Sequence, residues 1–284
     1  MGRPRGFEPP TSGTTNRRSN QLSYGRHTSV LTCSQRDQRR RRASDIEHAL
    51  WEAKIAHHAQ GIVCTAQLPG YPRAMGDTSN TCASRLQAWP GVRRTPNPLL
   101  ELYAVPDFLD SAHCARLIAL IDANRRPSTI ADPNGDAYFR TSETCDLDHA
   151  DPVVLALEHL LFQLTGIAPD HGEALQGQRY AVGQEFKPHT DYFEPDGLDY
   201  HQHCSVSGQR TWTAMIYLNE PEAGGGTRFK QIGKTFQPET GKLLTWNNRI
   251  SDGRVNPATL HHGMKVRKGV KYVITKWYRE RPWQ

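Results

Sequence analysis

Downstream of Gly166 the chain breaks into short β-rich runs at 174–182, 211–218, 226–230, 242–247 and 270–277, divided by Gly, Asp, Asn and Pro. Isolated strands of this length do not stand alone in water; they must be assembled into a sandwich or barrel. Upstream the pattern is different. The run Leu99–Val105 reads as a strand closed by Pro106, with Leu100, Leu102 and Ala104 on one face. Asp110 or Ser111 then caps a helix whose apolar residues Ala115, Leu117, Ile118, Leu120 and Ile121 lie near a 3.6-residue period. Asp151 and Pro152 open a second helix as N-cap and first turn. Val153, Val154, Leu157, Leu160, Leu161 and Leu164 form its buried face, and Gly166 is placed to end it. Two helices followed by many short strands predict an α+β fold, with helices packed on one side of a sandwich or barrel.

The first third of the chain has another character. Residues 1–45 carry ten arginines and three acidic residues, a charge of +7. The whole chain is +6, so residues 46–284 sum to −1. The basic character therefore belongs to the tail, and a nucleic-acid surface over the whole protein is not expected. Arg39–Arg42 reads either as a nucleic-acid-binding arm or as a solvated tail, and the second reading is preferred. A segment rich in Arg, Ser, Thr, Asn and Gly buries too little to offset its ordering entropy. The string from Arg5 to His27 resembles peptides that arise when tRNA-gene DNA is translated, and a third reading makes 1–45 an annotation artefact with Met75 as an alternative start. Residues 46–60 predict a short helix, and 61–98 read as linker. The expected organisation is an extension that is disordered or linker over 1–98 and one domain over 99–284. No run approaches the roughly 20 apolar residues of a membrane span. Six scattered cysteines without a Cys-x-x-Cys pair fit a reducing cytosol, and no apolar segment follows the N-terminal arginines as in a secretory signal. A cytoplasmic protein is expected.

Chemistry concentrates at Lys187-Pro188-His189-Thr190-Asp191. On a strand, residues i and i+2 share a face, so His189 and Asp191 can reach one ion together. His261 lies 70 residues beyond Asp191 and just before the last strand-like run, a candidate third ligand. Two histidines and one carboxylate on one face of an octahedral ion leave three positions open, as in non-haem Fe(II) oxygenases. Zinc would more often be held tetrahedrally. His262 neighbours His261, but adjacent strand residues face opposite ways, so one ion takes only one of them. His201, His203 and Cys204 suggest a second metal site but lack a fourth partner, and read better as a mobile loop over the active site. Gly224–Gly226 is a turn and not a phosphate loop, because no Gly-Lys-Ser/Thr follows.

The surrounding residues widen the picture. RYAVGQEFKPHTDYFEPDG from Arg179, GQRTWTAMIYLNEPEAGGGTRF from Gly208 and LHHGMKVRKGVKYVITKWYRERPW from Leu260 closely resemble the prolyl 4-hydroxylase family of Fe(II)- and 2-oxoglutarate-dependent dioxygenases. Tyr103–Leu109 and Arg140-Thr141-Ser142 extend the resemblance over 99–284. It implies a double-stranded β-helix (jelly-roll) with buttressing helices. It implies Fe(II) bound by His189, Asp191 and His261, and 2-oxoglutarate as co-substrate anchored by Lys271, with the Tyr180 and Thr227 hydroxyls on the same carboxylate. It implies O2 as the oxidant, ascorbate as the reductant, and release of succinate and CO2. Arg210 and Trp277 match positions that line the substrate groove, whereas Phe186 stands where the family often has a substrate-contacting tyrosine, and its missing hydroxyl argues against proline. A peptide or protein substrate, proline first, is expected ahead of a small molecule or free amino acid. A non-catalytic metal-binding module is the alternative of another class, and the intact His189, Asp191, His261 and Lys271 argue against it.

Overall fold

The computed structural model describes residues 78–128, 138–197 and 200–283. In chain order the elements are α1 (Thr78–Ala88), β1 (Arg93–Arg94), β2 (Leu102–Val105), α2 (Ser111–Asn124), β3 (Arg126–Pro127), β4 (Glu143–Asp146), α3 (Pro152–Thr165), β5 (Gln176–Tyr180) and β6 (Phe186–His189). Then come α4 (Tyr200–Cys204), β7 (Arg210–Tyr217), β8 (Ala223–Gly224), β9 (Thr227–Phe229), β10 (Lys234–Phe236), β11 (Leu243–Asn247), β12 (His261–Gly263), β13 (Val266–Lys268) and β14 (Lys271–Arg279). The strands form an eight-stranded antiparallel sheet in the order β1-β2-β11-β7-β14-β5-β4-β3 and a four-stranded sheet β10-β9-β12-β6. A two-strand ladder, β8 with β13, completes them.

The expected α+β jelly-roll is what forms. Its core cluster takes Leu102, Tyr180, Met215, Leu244, Trp246 and Val273 from the large sheet and Phe229 and Phe236 from the small one. The caps follow the sequence. The Asp110 carboxylate accepts from the His113 amide at 2.9 Å, so Asp110 and not Ser111 is the N-cap of α2. Asp151 accepts from the Val153 amide at 2.8 Å, and Gly166 ends α3 at φ 73°. The outer face of the large sheet is covered by helix. A side chain at Gly177 on β5 would collide with Ile121 of α2, so the glycine allows the close approach. Lys276 on β14, buried, is paired with Glu158 of α3 at 2.6 Å.

One expectation needs correcting. The stretch 61–98 is not all linker, because residues 78–88 form α1, and Arg93–Arg94 pair with β2. Cys82 and Leu86 are fully buried, and the Arg85 guanidinium donates to the Gln163 carbonyl of α3 at 2.7 Å. Two apolar residues four apart and one polar anchor hold this helix against α3, although the stretch around them is rich in Pro, Gly, Ser and Thr. The predicted helix at 46–60 and the basic arm lie outside the described residues. A chain beginning at Met75 keeps α1 and is expected to fold and turn over normally. A chain beginning at Leu99 should unfold at lower urea, since losing the burial of Leu86 alone removes about 1.5–3 kcal/mol. Equal urea midpoints for the two would remove α1 from the domain.

Candidate active site

Between the two sheets lies a cavity that opens to solvent. Strand alternation builds its floor. Lys271, Val273, Thr275 and Trp277 of β14 line it, as do Gln178 and Tyr180 of β5. Tyr272, Ile274, Lys276 and Tyr278 fall on the opposite face of β14.

His189 ends β6 and His261 begins β12, and the two stand opposite each other in the ladder. Asp191, two residues on, turns its carboxylate to the same point. One ligand atom from each of the three lies within 4.8 Å of the others, and His189 Nε2 is 3.9 Å from Asp191 Oδ1. The tautomers are set by the backbone. His189 Nδ1 lies 2.7 Å from the Lys187 carbonyl and His261 Nδ1 2.9 Å from the Thr259 carbonyl. A carbonyl only accepts, so both Nδ1 atoms carry the proton and both Nε2 lone pairs are free to bind a metal. Burial, with His261 adding to it, pushes the His189 imidazole well below its ordinary range and keeps it neutral. Thr213 donates to Asp191 Oδ2 at 2.8 Å, leaving Oδ1 for the centre. Among the described residues this is the one such His/Cys/Asp/Glu group. His262 stands apart from it, with Nε2 on Glu185 Oε2 at 2.9 Å.

Lys271 is buried at the start of β14, opposite Tyr180 in the ladder. Its Nζ sits 5.1 Å from the Tyr180 ring centre and 5.4 Å from that of Tyr217. No carboxylate pairs with it among the described residues, and burial lowers its pKa to about 7. A buried cation with aromatic neighbours and no counter-ion is an anion site. Thr227 lines the cavity and its hydroxyl accepts from Tyr217 at 2.7 Å. Tyr180 lines it too, with its hydroxyl donating to Gln178 Oε1 at 2.7 Å.

The candidate substrate residues divide. Trp277 and Phe186 line the cavity, and the Phe186 ring stacks on His189 with centroids 3.5 Å apart. Arg210 does not line it. Its guanidinium forks onto Glu173 through two 2.6 Å bonds, donates to the Asp191 backbone carbonyl and lies 4.2 Å from the Trp277 ring centre. It is ion-paired and packed against the Trp277 wall, not a solvated charge. Burial alone would raise the Glu173 carboxyl, but Arg210 and Arg279 outweigh it and hold it low.

The segment around His201, His203 and Cys204 is also not as expected. It forms α4 and is tied to the end of β14: Arg279 donates to the His203 carbonyl, and Arg281 to those of Cys204, Ser205 and Val206. The His203 ring stacks on Phe193 at 4.8 Å. Tyr217, Thr213, Met215 and Trp246 belong to the site or its support, and the sequence reading passed over them. The signal was present, because Thr213, Met215 and Tyr217 alternate along one strand, but the run is so apolar that it reads as core.

A jelly-roll enclosing a His-x-Asp pair, a distant histidine and an unpaired buried lysine defines an oxygenase-type site. Residues 175–279 match the family model described as the 2OG-Fe(II) oxygenase superfamily. The Arabidopsis thaliana protein named probable prolyl 4-hydroxylase 10 is 30% identical over 197 residues, covering 61% of this chain and 66% of that protein. The human prolyl 4-hydroxylase subunit alpha-1 is 30% identical over 180 residues, covering 62% of this chain and 34% of that subunit. The chain therefore spans at most about two thirds of these relatives' length. Among solved structures, the viral collagen prolyl hydroxylase of Paramecium Bursaria Chlorella virus-1 in its 2OG complex shares the fold at a TM-score of 0.50 and 23% identity, over 63% of this chain and 94% of that one. This chain is a prolyl 4-hydroxylase-like protein of the 2OG-Fe(II) oxygenase superfamily.

Proposed function

We propose that this protein is an Fe(II)- and 2-oxoglutarate-dependent dioxygenase that hydroxylates a C–H bond of a peptidyl residue, proline first. The observation that carries the reading is the joint presence, in one cavity, of the His189–Asp191–His261 group and the unpaired Lys271. His189 Nε2, Asp191 Oδ1 and His261 Nε2 would hold the iron. Lys271 would pair with the distal carboxylate of 2-oxoglutarate, where a charge-assisted hydrogen bond in a dry site is strong. Tyr180 and Thr227 line the same cavity and would offer their hydroxyls to that carboxylate. When bound, iron and co-substrate supply the oxidising chemistry, in which one oxygen atom of O2 enters the product and the other enters succinate as CO2 leaves. The chain's part is to orient these groups and to exclude water, which the apolar walls Phe186, Met215, Trp246 and Val273 do.

Proline is favoured because the relatives are named for it, and because the aromatic wall of Phe186 and Trp277 suits a pyrrolidine ring. Ascorbate would keep the iron reduced. Among the described residues, the buried free thiols Cys82, Cys114, Cys145 and Cys204 support a reducing, cytoplasmic setting. The test is to incubate the protein with Fe(II), 2-oxoglutarate, ascorbate and Pro-containing peptides. Succinate formation and the mass gain of one oxygen atom in a peptide are expected. Succinate stimulated by free amino acids but by no Pro-containing peptide or lysate protein would transfer the assignment to a small-molecule hydroxylase.

A further inference from the structure

We infer that Asn248 is the positioning residue of the metal centre, coupling the Asp191 ligand to the His261 ligand through two separate hydrogen-bond chains. This rests on the proposed metal role of those residues. Asn248 follows β11 and is completely buried. Its backbone is fixed at both ends, the amide donating to the Thr211 carbonyl at 2.7 Å and the carbonyl accepting from the Asn256 amide at 2.8 Å.

The first chain runs through the side chain. Asn248 Nδ2 lies 3.0 Å from Thr213 Oγ1, which lies 2.8 Å from Asp191 Oδ2. The proton directions are forced. An ionised Asp191 offers no proton, so the single Thr213 proton goes to Oδ2, and Asn248 must therefore present its amide NH2 to Thr213. Oδ2 is thereby occupied and Oδ1 alone is left for the centre. A carboxylate held to one oxygen takes one coordination position; one free to rotate would take two and close a position that a chelating co-substrate or O2 needs.

The second chain runs through the backbone. Asn256, held by the Asn248 carbonyl, uses its own carbonyl to accept from the Thr259 amide at 3.0 Å and the Thr259 hydroxyl at 2.7 Å. The Thr259 carbonyl in turn fixes the His261 tautomer at 2.9 Å. Asn256 and Thr259 are buried as well, so nothing along the path exchanges with bulk water. One residue thus sets the rotation of one ligand and the seat of another, on strands far apart in sequence.

The experiment measures Co(II) affinity, by its visible absorption, for the full chain and for Thr213→Val, Thr213→Ser, Asn248→Ala and Asn248→Asp, alongside metal-free thermal unfolding of each. Outer-shell partners of metal ligands are typically worth about 10–100-fold in affinity. Thr213→Val should weaken Co(II) binding by that order, and Thr213→Ser, which keeps the hydroxyl, should restore it to within about threefold. Asn248→Asp keeps the shape but turns a donor into an acceptor, so it should draw the Thr213 proton away and weaken Co(II) as much as Asn248→Ala does. Full Co(II) affinity in a folded Thr213→Val or Asn248→Asp chain would overturn the inference while leaving the proposed activity standing. Failure of the unsubstituted chain to bind Co(II) would overturn both.

Discussion

Alanine at His189, Asp191 or His261 should abolish Fe(II)-dependent succinate production, a loss on the order of 10³-fold or more if several kcal/mol of metal assistance disappear. The geometry leaves little room for substitution from elsewhere, because no other such cluster exists among the described residues. His262→Ala provides the contrast. It is one residue from a ligand, yet its ring is on Glu185 and its cross-strand partner is Arg228, outside the cavity. It should cost little more than one partly exposed ion pair. Loss of activity in His262→Ala with activity retained in His261→Ala would invert the ligand assignment.

Lys271→Ala should raise the 2-oxoglutarate KM by about 10–100-fold, the worth of a charge-assisted hydrogen bond of roughly 1.5–3 kcal/mol, and leave Co(II) binding unchanged. An unaltered KM would end the carboxylate-anchor role. The same lysine predicts a pH dependence. Burial lowers its pKa to about 7, so in the free protein the ammonium is present below about pH 7 and lost above it. A dianion binding at higher pH must first restore that proton, so 2-oxoglutarate affinity should weaken as pH rises above 7. Lys271→Ala should flatten this limb of the profile, whereas a profile identical in both proteins would assign the titration elsewhere.

Much of this architecture was legible in the residues. Asp110, Asp151 and Gly166 act through their immediate neighbours, so helix ends could be read directly. The two-residue period that puts His189 and Asp191 on one face, and Lys271, Val273, Thr275 and Trp277 on another, is a property of the extended backbone itself. The residues that resemble a known family are those whose chemistry is tied to short motifs. What the tertiary structure decided was partnership at a distance. Arg210 and Glu173 are 37 residues apart, Arg279 and Glu173 are 106 apart, and nothing in a local pattern records that these charges neutralise each other in the interior. The same holds for the loop around His203, which reads as mobile until the arginines closing β14 are seen to hold its carbonyls. It holds for α1 as well, where two buried residues in a Ser- and Thr-rich stretch have meaning only against α3. A strand's alternation says which side chains share a face. Only the folding of one sheet onto another says which of them meet, and the pairing of His261 with His189 across β6 and β12, on which the candidate metal site depends, is of that second kind.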